Sequence, residues 1–360
     1  MPVTLQDIAD RLGVSVATVS RALAGYSDIA AETRARVLQA AEEMGYRPNI
    51  SARRLQQQRT ETLGFVIPTH GPRFADPFFS ELLAGIGNEA AEQEYDLLVS
   101  TQAPGGEELK TYKRMVMEQR VDGMLVVRTR QKDARIAYLL KEHFPFVAFG
   151  RSDLETNFPY LDVDSKHGLR QIVQHLIDGG HRRIAYISAP MDLMFASHRL
   201  AGYTETLATN GIPFDQSLLI EGELTERSGY AAAMQLLSDN PRPSAIVACN
   251  DLMALGAISA ARELGLAVGR DLAVTGFDDV PLAAHAHPPL TTVRQPIYEI
   301  GRRMCRMLIR LLEDKPLEDR HVLLEPELVI RASSTGVDSA QEGGGGHRSS
   351  EAVRVPISLG

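Results

Sequence analysis

From Leu63 onward the chain alternates between short apolar runs and longer stretches with helical spacing. The runs are "TLGFVIP", "DLLVSTQ", "GMLVVR", "PFVAFG", "RRIAYIS", "SAIVACN" and "LAVTGFD". Between them lie stretches such as "PFFSELLAGIGNEAAEQE", "HGLRQIVQHLIDGG" and "MALGAISAARELG". Four to seven apolar residues bounded by polar punctuation suit a strand buried on both faces. Strand, helix and strand in repetition give a mostly parallel sheet covered by helices. Seven strands spread over about 270 residues fit two three-layer lobes better than one sheet, because a single core stops growing near that size. The Pro-flanked stretch "PPLTTVRQP" reads as a crossing between the lobes.

The first sixty residues follow another rule. "TLQDIADRLG" sets Leu5, Ile8, Ala9 and Leu12 at helical spacing, with Thr4 as N-cap and Gly13 as stop. "SVATVSRALAG" is a second short helix, capped by Ser15 and closed at Gly25. "AAETRARVLQAAEEMGY" is a third, with Val37, Leu38, Ala41 and Met44 on one face and Gly45 as its stop. The tight "LGVS" link between the first two reads as the turn of a helix-turn-helix. The polar, basic stretch "RPNISARRLQQQRT" follows, with Leu55 alone among its Arg and Gln residues. It reads as a linker, or as a helix that forms only when docked. The end of the chain, "GVDSAQEGGGGHRSSEAVRVPISLG", reads as a flexible tail without a heptad repeat.

Charge separates the same parts. The chain carries −8 overall, yet residues 1–59 hold eight Lys and Arg against six Asp and Glu. Arg47, Arg53, Arg54 and Arg59 follow one another with no acid between. A small basic head on an acidic body points to a local polyanion-binding patch; a solvated charge run is the plainer alternative. No run reaches the ~20 apolar residues of a membrane span. "MPVTLQDIADRLG" lacks the apolar core of a secretory signal. Cys249 and Cys305 lie in apolar runs and read as buried free thiols. Together these features suggest the cytoplasm.

Enzyme and metal readings are weak. Asp162 and Asp164 in "LDVDS" lie two apart on an extended segment, which suggests a glycosidase pair, but a helix cap or a contact between lobes explains them better. His285 and His287 have no further ligand at zinc spacing. Gly85 and Gly87 fall inside a helix, and no phosphate-cradling Gly-Lys-Ser/Thr loop is present. No cofactor and no metal are expected.

Nine stretches, in order, resemble the LacI/GalR family of bacterial transcription regulators: "TLQDIADRLGVSVATVSRAL", "YRPNISARRL", "DPFFSELLAGI", "HLIDGGHRRIAYI", "HRLAGY", "NDLMALGA", "VTGFDDV", "PPLTTVRQP" and "LVIRASS". The resemblance spans about residues 3–335. It implies an α/β chain with an N-terminal three-helix helix-turn-helix head, a hinge and a two-lobed periplasmic-binding-protein-like body with parallel sheets. The expected divisions are a DNA-binding head over 1–47, a hinge over 48–60, an effector-binding and dimerising body over 61–335, and a tail over 336–360. The lobes are expected at about 61–160 plus 292–322, and 161–291 plus 323–335. The expected partners are a palindromic operator DNA, a small-molecule effector and a second copy of the chain, with no membrane. The expected location is the cytoplasm, on the nucleoid.

Residue by residue, the resemblance puts Val16 and Ala17 at base-reading positions, with Arg21 one turn further along. An Arg fork can take two acceptors on a guanine edge, whereas Val and Ala can only touch a thymine methyl. Ser15, Thr18 and Ser20 suit phosphates or caps. In the hinge, Asn49, Ala52, Arg53 and Leu55 are expected on DNA, with Leu55 wedging between base pairs in the minor groove. In the body, Arg199, Asn250 and Asp278 match effector-contacting positions; fork, amide and carboxylate suit vicinal hydroxyls. Phe79 is expected to stack against the ligand; Arg128, at the end of "GMLVVR", is a further effector-contacting position, with an exposed Arg as the alternative. Asp279 is either a second acid of the site or a helix cap. The expected function is a DNA-binding regulator, a repressor tuned by a sugar, with a purine as the runner-up ligand. The rivals are a solute-binding protein, which the head argues against, and a sugar-processing enzyme, which lacks an acid–base pair.

Overall fold

The computed structural model describes residues 3–23, 25–46, 59–69, 76–154 and 157–336. The chain divides into two compact units, Met1–Thr60 and Glu61–Gly360.

In the first unit, helices α1 (Leu5–Leu12), α2 (Val16–Leu23) and α3 (Ala31–Glu43) enclose a core of Ile8, Ala9, Val19, Ala22, Val37, Ala40 and Ala41. Local chemistry sets the ends. Thr4 Oγ1 accepts from the Asp7 amide at 3.3 Å while Asp7 accepts from the Thr4 amide at 2.8 Å, a reciprocal capping box. Gly13 ends α1 in the left-handed region at φ 66°. Ser15 Oγ then accepts from the Thr18 amide at 3.1 Å, starting α2 three residues after the stop. One expectation fails here. Leu38 is 50% exposed, and Ala40 takes the inward position beside Val37 and Ala41. With helices this short, three small residues fill the space, and Leu38 rotates off the buried stripe.

The second unit has two parallel sheets. The first runs β11-β5-β4-β3-β1-β2 and contains β1 (Thr62–Pro68), β2 (Asp96–Gln102), β3 (Gly123–Val126), β4 (Phe146–Phe149), β5 (Tyr160–Val163) and β11 (His321–Leu324). The second runs β7-β6-β8-β9, from β6 (Ile184–Ser188), β7 (Leu219–Glu221), β8 (Ala245–Ala248) and β9 (Ala273–Thr275). A two-stranded antiparallel pair, β10 (Thr292–Arg294) with β12 (Glu327–Val329), forms where the chain crosses between lobes. Alternate residues of β1 serve opposite faces, as pleating requires. Phe65 joins the core under α4 (Pro77–Glu92) and α12 (Ile297–Leu312); Val66 joins the core under α5 (Gly106–Met117) and α6 (Ala134–Lys141). In the second lobe the sheet is covered by α7 (Ser165–Asp178), α8 (Met194–Thr209), α9 (Glu226–Ser238) and α10 (Asp251–Glu263), and α11 (Pro281–His285) leads towards the crossing.

Five strands of three or four residues were not among the seven runs. Two of them move the lobe boundaries. The ladders Ala148↔Tyr160 and Tyr160↔His321 put β5 and β11 whole in the first sheet, so divisions at 160/161 and 322/323 cut through them. Gly85 and Gly87 do lie in a helix, α4, and Gly85 has a packing reason. A Cβ there would stand 2.1 Å from the Tyr298 carbonyl oxygen of α12, and one on Gly301 would stand 2.4 Å from that of Leu82. The two glycines let the helix backbones approach directly. Both cysteines are buried and free.

Candidate functional site

The head offers one helix face. Along α2, Val19 and Ala22 point into the core and Val16 packs half-buried against it. Ala17 and Arg21, one turn apart, are exposed, as is Ser15, while Thr18 and Ser20 are half-buried. Arg21 is ion-paired with Asp28, both side chains half exposed, and its guanidinium lies 5.2 Å from the Tyr26 ring centroid. Small residues on this face let a whole helix backbone come close to another surface. Asn49, Ala52, Arg53 and Leu55 lie outside the described residues.

The body offers a cleft between its lobes, of about 580 Å³ including the open mouth. It lies at the carboxyl ends of the parallel strands, where fold geometry leaves strand-to-helix loops free for ligands. Asp76 caps α4, accepting from the Phe78 amide at 3.1 Å and from Arg128 Nη2 at 2.7 Å. Arg128, just after β3, is held in the left-handed region at φ 48°. It is largely buried, not exposed, and its guanidinium lies 4.7 Å from the Phe79 ring centroid. Burial pushes the Asp76 pKa up, against the pull of Arg128, and pushes that of Arg128 down, against the pull of Asp76.

From the other lobe comes Arg199 of α8, 4% exposed. Its Nη1 donates to the Cys249 carbonyl, its Nη2 lies 3.7 Å from Asp278 Oδ1, and its plane sits 3.6 Å from the Phe277 centroid. Asp278 follows β9 at φ 118° and accepts from Gln295 Nε2 at 2.6 Å. Burial lifts its pKa to about 7; Arg199 opposes and the Asp76 charge adds to the rise. Asn250 caps α10, accepting from the Met253 amide at 3.0 Å and donating to the Leu224 carbonyl at 3.2 Å.

Arg128, Arg199, Asn250 and Asp278 therefore meet in one cleft wall. Phe79 does not. It is 1% exposed within the first lobe's core, and its neighbour Phe78 lines the cleft, stacked on Phe149 at 6.0 Å between centroids. Adjacent helix residues point about 100° apart, so an off-by-one assignment exchanges a core ring for a cleft ring. Asp279 is not a cap: it binds Arg331 and Arg294, each at 2.7 Å, and Val280 precedes α11 without a side-chain cap. Asp164 caps α7 through the His167 amide at 2.9 Å, whereas Asp162 lines the cleft and binds Arg151 at 2.7 Å. Asp76, Phe78, Phe149, Phe195 and Gln295 were missed. Asp76 before "PFFS" was legible as an N-cap, and Gln295 lies within "TTVRQP"; the aromatic rings carried no local signal.

The cleft carboxylates Asp76, Asp162 and Asp278 each face a guanidinium, of Arg128, Arg151 and Arg199 respectively. Asp76 and Asp162 are matched by Arg128 and Arg151, whereas Asp278, lifted to about 7 by burial, offsets Arg199 only in part at neutral pH, and none is arranged as the acid and base of a hydrolase. Among the described residues no group of His, Cys, Asp and Glu could hold a metal ion, and no helix is long and apolar enough to cross a membrane.

A helix-turn-helix unit followed by a two-lobed body with a polar cleft defines a ligand-responsive DNA-binding protein. Residues 4–49 match the family model "Bacterial regulatory proteins, lacI family", and residues 173–334 match "Periplasmic binding protein-like domain". The transcriptional regulator CelR of Thermobifida fusca is 36% identical over 92% of this chain and 98% of its own length. The repressor CytR of Escherichia coli K12 is 35% identical over 92% and 96%. Among solved structures, a CelR–cellobiose complex is similar at TM-score 0.71 and 35% identity, covering 92% of this chain and all of that one. The lac repressor dimer bound to operator and an anti-inducer is similar at TM-score 0.81 and 31% identity, over 93% and 100%. The chain belongs to the LacI family of bacterial transcriptional regulators, and is a DNA-binding regulator, not an enzyme.

Proposed function

We propose that this protein is a homodimeric repressor that binds a palindromic operator and responds to an uncharged sugar held in the cleft. The observation that carries the ligand class is the pairing of every cleft carboxylate with a guanidinium. With each of these guanidinium groups facing a carboxylate, a phosphorylated or acidic sugar finds none of them to itself. It offers donors and acceptors in abundance to hydroxyls, and the Phe78 and Phe149 rings suit the apolar face of a pyranose. Arg128, Arg199, Asn250 and Asp278 take the hydroxyl contacts in this reading. The sugar-bound CelR relative agrees with it. In this reading Ala17 and Arg21, with the half-buried Val16 beside them, face the major groove, and Ser15, Thr18 and Ser20 the phosphates. Asn49, Ala52, Arg53 and Leu55 make the hinge contacts. The protein works on DNA in the cytoplasm.

The same stacked rings favour a purine as the second reading. A thermal-shift panel of cellobiose, maltose, sucrose, glucose 6-phosphate, galacturonate and adenosine separates the classes, because a ligand that binds only the folded state raises its melting temperature. A neutral sugar should give the largest rise. A rise with adenosine alone, or with the charged sugars alone, would overturn the assignment.

A further inference from the structure

The loop from Val127 to Asp133 does two things. Arg128 enters the cleft, while Arg130 and Gln131 reach the other lobe: Arg130 Nε lies 3.4 Å from Asp192, and Gln131 Nε2 donates to Ser197 Oγ at 2.6 Å. The backbone joins in, with the Gln131 amide on the Asp192 carbonyl at 3.0 Å and the Met194 amide on that of Thr129 at 2.9 Å.

Beneath this loop lies Arg135, 1% exposed and among the largest fully buried side chains. Its Nη2 donates to the Arg128 carbonyl at 2.9 Å and to Asp133 Oδ2 at 2.7 Å, Nε donates to Asp133 Oδ1 at 3.0 Å, and Nη1 donates to Glu108 Oε1 at 2.5 Å. Glu108 is fully buried, and its other oxygen accepts from Arg130 at 2.7 Å. Asp133 also accepts from the Arg130 amide at 3.0 Å. A buried ion cluster is a poor source of stability, since desolvation cancels most of its attraction. A non-Gly residue at positive φ, as at Arg128, persists only where its surroundings over-determine it. Cluster and strained residue meet at one hydrogen bond, from Arg135 to the Arg128 carbonyl.

We propose that Arg135 is a positioning residue for effector binding: through the Arg128 carbonyl and through Glu108 it sets both the cleft guanidinium of Arg128 and the contact of Arg130 with the opposite lobe. This rests on the reading that Arg128 touches the effector. A Lys at 135 keeps the charge but lacks the planar fork needed to serve three acceptors at once.

The test is a double-mutant cycle on the full chain, with Arg135→Lys, Arg128→Ala and the double variant. The probe is the panel sugar with the largest melting-temperature rise. Arg135→Lys should weaken that sugar roughly tenfold, and by clearly less once Arg128 is already Ala, the remaining loss being the part carried by the Arg130 contact. An equal loss in both backgrounds, or no loss, would overturn the proposal. Failure of the underlying reading looks different: Arg128→Ala would then bind the sugar as the wild type does. Amide exchange of residues 128–131 in ligand-free protein gives a readout that needs no sugar. It should speed up in Arg135→Lys, and unchanged exchange would count against positioning. If Arg135→Lys fails to show a cooperative melt, Glu108→Gln, which keeps the shape of the cluster, takes its place in the same cycle.

Discussion

Arg199 and Asp278 face each other with Nη2 and Oδ1 3.7 Å apart, a separation that leaves room for a ligand hydroxyl to bond both. Neither side chain can wander, since Arg199 is held by the Cys249 carbonyl and the Phe277 face, and Asp278 by Gln295. The site is preorganised, and specificity then falls on hydroxyl stereochemistry, because an epimer leaves a buried polar group without its partner.

The Asp278 pKa of about 7, raised by burial above the ordinary 3.8, makes the site pH-dependent. Arg199, the Gln295 hydrogen bond and Arg128 favour its charge, and Asp76 disfavours it. Sugar affinity should rise between pH 6 and 8 as the acceptor ionises, and Asp278→Asn should flatten that slope. Stability runs the other way. A carboxyl whose folded pKa is raised holds its proton in the folded state, so its contribution is full below about pH 4 and is lost as pH rises through about 7. Melting curves of wild type and Asp278→Asn across that window read the difference; a contribution that grows with pH would refute the sign.

Arg21 is half exposed, and its pairing with Asp28 is of a kind that is worth little at a surface. It is free to turn to a guanine. Arg21→Ala should cost about 1–3 kcal/mol on the operator and much less on random DNA. Equal losses on both would reduce Arg21 to a phosphate contact.

Gly85→Ala inserts a Cβ 2.1 Å from the Tyr298 carbonyl oxygen, so α4 and α12 must separate. The expected loss is about 1–3 kcal/mol, the usual cost of overpacking, seen as a lower melting temperature. Gly87→Ala, with nothing within 4 Å, should be neutral or slightly stabilising. If the two behave alike, close packing is not what Gly85 provides.

Two heads on one dimer need half-sites about one helical turn apart. In the proposed dimer the contacts are expected from the body, since the sequence after Ser334 has no heptad, and deleting residues 337–360 should leave a dimer in sedimentation. A tetramer that the deletion converts to dimers would refute this.

The long strands and helices were legible because periodicity survives over seven or more residues, as in β1 and α4. The strands β5 and β11 were not: "YLDV" and "HVLL" carry Asp162 and His321 within four residues, where β3 and β4 of equal length have no charged or imidazole side chain, and each depends on a distant ladder, Tyr160 with Ala148 and with His321. The cleft was half legible. Arg199, Asn250 and Asp278 stand in short motifs, Asn250 and Asp278 at element ends and Arg199 in the second turn of α8, so their placement follows from chain position. Phe78 against Phe79 turns on helix phase, which sequence fixes only to within a residue, and Arg135 is visible only once its three acceptors are brought together in space.

A ligand in the cleft should change the DNA affinity of the head. The most direct test is a titration of operator DNA with and without saturating panel sugar, for wild type and for Asp278→Ala. Wild-type operator affinity should shift by about 5–150-fold, the usual range of coupling between sites, matched by an equal shift in sugar affinity on adding operator. Asp278→Ala should lose the shift while still binding operator. An operator affinity that is the same with and without bound sugar in the wild type, or a full shift in Asp278→Ala, would contradict this coupling.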